Sequence, residues 1–128
     1  MLTDVQLTNF KAWRSLRVPL GRVTGLFGTN SSGKSSILQF LLLLKQTKNA
    51  TDRSLVFDFG GPDQLVNLGA YRDVVHNHDV EQPLSWALTW RLPKPLKVSD
   101  PYRKRTDILF ETDEISIDGK VEWRKAAP

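Results

Sequence analysis

The sequence predicts an α/β fold with a mostly antiparallel β subdomain, on three observations. A glycine-rich loop, GTNSSGKSS at residues 28–36, stands between a short β-rich stretch and an apolar run. Ahead of it lie two stretches in which apolar and polar residues alternate. Behind the apolar run, strand-like alternation returns and dominates to the end.

In chain order, Thr3, Val5 and Leu7 alternate with polar neighbours, the pattern of a half-buried first strand. Leu16, Val18 and Leu20 repeat it for a second strand, and Gly21 turns into a third at residues 22–27. That third stretch, RVTGLF, is short and mostly apolar, as a buried central strand would be.

The loop fits G-x-x-x-x-G-K-[ST] without a mismatch. Gly28 and Gly33 allow turns closed to other residues and bring backbone N–H groups close to phosphate oxygens. Lys34 would reach the β- and γ-phosphates of a nucleotide, and the Ser35 hydroxyl would ligate Mg²⁺. Ser36 reads as support for the helix start, with phosphate contact as the alternative. A plain glycine-serine turn is the competing reading, so context decides. The motif should follow a strand and open a helix, and Ile37, Leu38, Phe40 and Leu41 to Leu44 form a helix apolar nearly all round, hence buried.

After a polar stretch at residues 47–54, a weak strand signal at 55–59 meets Gly60-Gly61-Pro62. Residues 64–78 read as loop with a short helical turn. Leu84, Trp86, Leu88, Trp90 and Leu92 then alternate as a strand with one buried face, which Pro93 and Pro95 are expected to end. Residues 108–112, 115–117 and 120–123 suggest an antiparallel meander. Its last turn is expected at Ile117 to Gly119, with Ile115 opposite Val121. Residues 1–54 would thus hold the first strands, the loop and the helix, and residues 55–128 the antiparallel part.

Composition bounds the function. A chain of 128 residues holds one modest core or part of a larger domain. The absence of cysteine excludes a disulfide framework and thiolate metal sites, and fits a reducing cytoplasm. The apolar run is too short to span a bilayer, and MLTDVQLTNF carries no secretion signal. A net charge of +4 permits an acidic partner without demanding one.

Two motifs carry a family resemblance. Asn9-Phe10-Lys11-Ala12-Trp13 matches N-F-[KR]-[SA]-[FWH] at the end of the first strand. Gly28 to Ser36, including Asn30, matches G-x-N-[GS]-[SA]-G-K-S-[ST]. With this spacing the chain resembles the N-terminal lobe of ABC-type P-loop ATPase heads, in the structural-maintenance-of-chromosomes (SMC) and RecF-like groups. LGAYRDVVHNHD at residues 68–79 is similar, more loosely, to a segment of bacterial SMC-like ATPases of phage-defence or unassigned role.

The resemblance implies ATP and Mg²⁺ as cofactors. Gly28, Thr29, Asn30, Ser31, Ser32, Gly33, Lys34, Ser35 and Ser36 would surround the phosphates, with Ser35 on the metal. Lys11 would lie beside the nucleotide, an ordinary exposed lysine being the alternative. It also implies a head-to-head homodimer and ATP hydrolysis serving DNA repair, DNA processing or antiviral defence. The hydrolytic carboxylates and the glycine-rich signature loop are expected beyond Pro128. ILFETDE at 108–114 has carboxylates, but they follow a threonine in what reads as a turn. Gln64 and Gln82 are equal candidates for a glutamine at the nucleotide site. The alternative is a stand-alone nucleotide-binding sensor or regulatory subunit completed by another polypeptide.

Other features read as incidental. Asp58-Phe59-Gly60 copies a kinase motif without the H-R-D loop, and residues 58–61 copy a GTPase D-x-x-G without N-K-x-D. His76 and His78, near Asp73 and Asp79, lack a third well-spaced metal ligand. Trp86 and Trp90 share the leucine face and read as core. Arg103, Lys104 and Arg105, with Lys94 and Lys97 before them, form either a solvated loop or a phosphate-contacting patch for DNA.

Overall fold

The computed structural model describes residues 1–103 and 107–125. Its elements are β1 (Leu2–Phe10), β2 (Trp13–Pro19), α1 (Lys34–Asn49), α2 (Tyr71–Val74), β3 (Leu84–Ser99) and β4 (Ile108–Val121). The four strands form one sheet in the order β2-β1-β3-β4, and every neighbouring pair is antiparallel. Because β1 pairs with β3, residues before and after the glycine-rich loop share this sheet.

Strand alternation places the core. Val5 sits opposite Val18 and Leu88, and Leu7 opposite Leu16 and Trp86, so one face of the sheet is apolar. Helix α1 buries Ile37, Phe40 and Leu43. Phe40 meets the Phe10 ring edge-on at 5.3 Å and lies 6.0 Å from Trp86, so Trp86 packs against the core as expected. A fully buried phenylalanine contributes about 2 kcal/mol over an exposed one. The opposite face carries Asp4, which accepts from Arg17 Nε at 2.9 Å and Gln6 Nε2 at 3.0 Å.

Several expectations are corrected. Residues 22–27 form no strand, and Val23 and Phe27 are 92% and 94% exposed. Among the described residues no strand lies alongside them, so a strand there would gain no ladder of hydrogen bonds. Helix α1 is not buried all round: Leu38 is 59% exposed, because the sheet covers only one side. Residues 55–59 are irregular. Side chains of α1 take up the Asp58 backbone instead, Thr47 Oγ1 accepting its N–H at 2.9 Å and Gln46 Nε2 donating to its carbonyl at 2.9 Å.

Pro93 and Pro95 do not end β3. Its pairing with β1 stops at Trp90, and its register against β4 shifts between Arg91 and Leu96. The prolines therefore fall where few ladder donors are needed. The meander is likewise one strand. Asp118 and Gly119 lie inside β4, opposite Ala87 and Trp86. A Cβ at Gly119 would stand 2.6 Å from the Trp86 ring, so this glycine makes room for an indole and turns nothing. The hairpin joining β3 to β4 closes where Asp100 N–H donates to Asp107 O at 3.0 Å. The short helical turn expected within residues 64–78 is present as α2.

Candidate phosphate-binding loop

Glycines shape the loop ahead of α1. Gly28 has φ +152 and Gly33 φ +85, backbone positions where a side chain is strained. Gly33 is the N-cap residue of α1, and no side chain caps the helix. The first turn holds no acidic residue. The positive end of the helix dipole and its free N–H groups therefore face the loop without a competing carboxylate. This is an environment that suits an anion.

Lys34 closes the loop on itself. Its Nζ donates to Gly28 O at 2.8 Å, to Thr29 O and to Ser32 Oγ at 3.2 Å. The ammonium thus sits over the loop, ringed by its oxygens. Ser35 is exposed, whereas Ser36 is 7% exposed and belongs to the buried side of α1. Thr29, Asn30 and Ser31 are exposed, and Ser31 has φ 65. Residues 28–32 thus fold around the Lys34 ammonium, which bonds Gly28, Thr29 and Ser32.

The β1–β2 turn lies directly against this element. Trp13 Nε1 donates to Gly33 O at 3.0 Å. Asn9 and Lys11 adopt left-handed φ values of 58 and 46. Lys11 N–H donates to Val74 O at 2.7 Å, and its carbonyl faces His76 Nδ1 at 2.8 Å. Asn9 accepts from His76 N–H at 3.1 Å and donates to Asp79 O at 3.2 Å and Gln82 O at 2.8 Å. The turn bearing Lys11 is therefore fixed between residues 74–82 and the glycine-rich loop. Trp13 closes the Asn9 to Trp13 motif, and its indole N–H, two residues past Lys11, is the one sequence signal of this contact.

The two candidate glutamines are separated. Gln64 lines a cavity with Gln46 and Asn49, at the last turns of the 16-residue α1. A helix of that length runs about 24 Å, which puts Gln64 far from Lys34. Gln82 instead lines a cavity of about 370 Å³ with Asn9, Arg14 and His76, beside the turn that touches Gly33.

The other sequence features have these surroundings. Asp58 lies at the Gln64 end of α1, and its Oδ1 accepts Gly60 N–H at 3.0 Å. The ring of His78 uses Nδ1 on Arg72 O at 2.9 Å, and the described residues contain no cluster able to hold a metal through His or carboxylate groups. The carboxylates at 111–114 lie on β4 and not in a turn, with Glu111 3.6 Å from Lys97. Arg103 pairs with Asp100 at 3.7 Å, while Lys104 and Arg105 lie outside the described residues. Among the described residues no helix is long and apolar enough to cross a membrane.

The family model of the AAA ATPase domain matches residues 1–117, which spans the loop, α1 and nearly all of the sheet. The chain belongs to the AAA ATPase domain family. Membership implies nucleotide binding and an ATPase function for the domain. No curated protein matches the chain.

Proposed function

We propose that this AAA ATPase domain is the nucleotide-gripping first lobe of an ABC-type head of the SMC/RecF-like kind. Gly28 to Ser36 cradle the ATP phosphates, with Lys34 on the β- and γ-oxygens, Ser35 holding Mg²⁺ and Lys11 beside the nucleotide. The observation that carries this reading is the Lys34 ammonium poised over the loop at an uncapped, acid-free helix start. Incoming phosphate oxygens replace the carbonyls of Gly28 and Thr29 as its partners.

The reading extends to residues beyond this lobe. The exposed apolar side chains Val23, Phe27 and Leu38 are the surface that a second sheet of the same head covers. That sheet brings the hydrolytic carboxylates, and ATP then joins two heads in a homodimer whose opening follows hydrolysis in the cytoplasm. Arg103, Lys104 and Arg105 contact DNA phosphates, serving repair, processing or antiviral defence. A second reading, a nucleotide-binding sensor or regulatory subunit completed by another polypeptide, shares the same loop. It differs in predicting ATP binding without turnover until that polypeptide is added.

Titration of Mg-ATP into the wild-type chain and into Lys34→Ala tests the proposal. Binding by the wild type and its loss in the variant are expected. Equal affinity in the two proteins would sink it.

A further inference from the structure

Trp13 and Gly33 are twenty residues apart in sequence and joined by a hydrogen bond of 3.0 Å from the indole Nε1–H to the Gly33 carbonyl. The contact is close on every side. A Cβ at Gly33 would stand 2.7 Å from Trp13 Nε1 and 2.8 Å from the Ala12 Cβ, so only glycine fits beneath this turn. The same carbonyl accepts Ser36 N–H at 3.1 Å, a tight i→i+3 bond of the first helical turn.

A peptide unit is planar and trans, so its C=O and N–H point in opposite directions. Fixing the Gly33 oxygen toward Trp13 therefore fixes the Lys34 backbone N–H to point the other way. That N–H belongs to the uncapped start of α1. Glycine rotates more freely than any other residue, so the Trp13 bond adds a side-chain restraint to the one that Ser36 N–H places on the Gly33 carbonyl.

We infer that Trp13 is a positioning residue for phosphate binding: by holding the Gly33 carbonyl, it aims the Lys34 backbone N–H into the glycine-rich loop. The inference rests on the reading of that loop as the phosphate site. Its platform is rigid. Lys11 is bonded to Val74 and His76, and Asn9 bridges His76, Asp79 and Gln82, so the turn carrying Trp13 is anchored to residues 74–82.

Trp13→Phe removes the donor and leaves one aromatic ring in the place of the indole. With the whole chain, calorimetric titration of Mg-ADP is compared for wild type, Trp13→Phe and Lys34→Ala, alongside the Lys34 amide proton shift by NMR. The expected result is affinity weakened about tenfold in Trp13→Phe, as for loss of one aligned hydrogen bond to a charged group. Its melting temperature stays near the wild type, and the nucleotide-induced shift of the Lys34 amide is reduced. Wild-type affinity together with an unreduced shift in Trp13→Phe overturns the inference while leaving the phosphate site standing. Nucleotide binding absent from the wild type, or unchanged in Lys34→Ala, overturns both. If Trp13→Phe melts early, the wild-type indole proton of Trp13 decides: protection from exchange that rises with nucleotide supports the bracing role, and unchanged protection overturns it.

Discussion

Gln46 binds Val66 through both ends of its side-chain amide. Its Oε1 accepts the Val66 N–H at 3.1 Å, and its Nε2 donates to the Val66 carbonyl at 3.2 Å and to Asp58 O at 2.9 Å. The amide takes the place of a neighbouring strand for a segment that has none. Gln46 is only 6% exposed, so its amide is largely shielded from solvent. Gln46→Leu would strip partners from three backbone groups, at a cost of about 3 kcal/mol. Thermal unfolding followed by circular dichroism should show the midpoint lowered by roughly 10 °C. A change within about 2 °C would mean the segment finds other partners.

The same segment sets a contrast between adjacent glycines. Gly60 has φ +88, and a Cβ there would stand 1.7 Å from the Val66 carbonyl oxygen. A Cβ at Gly61 meets nothing within 4 Å. Gly60→Ala is therefore expected to cost more than about 3 kcal/mol, and Gly61→Ala to stay within about 0.5 kcal/mol of the wild type. Urea unfolding of the two variants side by side checks this. Equal midpoints would show that residues 58–66 shift as a body to admit a methyl group.

Asn9 is another position where one side chain secures a remote segment. It is 5% exposed, left-handed at φ 58, and bonded to His76, Asp79 and Gln82. Asparagine tolerates that backbone better than alanine, so Asn9→Ala loses the bonds and adds strain. The expected loss is about 3 kcal/mol in urea unfolding. Hydrogen exchange should quicken at the His76 amide, whose N–H Asn9 accepts, while the Leu88 amide of β3 stays protected. Unchanged exchange at His76 would count against Asn9 as the tether.

Much of this was legible in the residues, for a physical reason that also explains the failures. β1, β2, α1 and the first half of β3 announce themselves because each buries one face against a single layer, and periodicity records that layer. Residues 22–27 read as a buried strand because their composition is apolar, yet apolar composition says nothing about whether a strand lies beside them. Asp118-Gly119 has the chemistry of a turn, but the cross-strand indole of Trp86 claims the space a side chain would fill. Pro93 and Pro95 read as terminators because sequence does not reveal how many neighbours a strand has. The glycine-rich loop was readable since its spacing is itself the constraint. Its brace at Trp13 was not, because the hydrogen bond to Gly33 is non-local.

Tyr71 links α2 to the end of β4 and predicts an alkaline limit. It is 7% exposed, its hydroxyl donates to Val121 O at 3.1 Å, and its ring stacks on Trp123 at 6.0 Å. Burial pushes its ionisation above the usual tyrosine value of 10.0; the Leu84 backbone pulls the other way, and the Glu122 carboxylate adds to the rise. The folded protein therefore keeps this proton at a pH where the unfolded chain loses it. Stability from this group is whole below pH 10 and falls as pH climbs past that value. Tyr71→Phe cannot ionise, so it escapes this loss, but it forfeits a hydrogen bond worth about 1 kcal/mol near neutral pH. The stability gap between wild type and Tyr71→Phe should accordingly narrow between about pH 8 and pH 11 in urea unfolding, with the shared lysine titrations cancelling in the difference. A gap that widens over that range would mean the folded state stabilises the phenolate, with the Leu84 backbone outweighing burial.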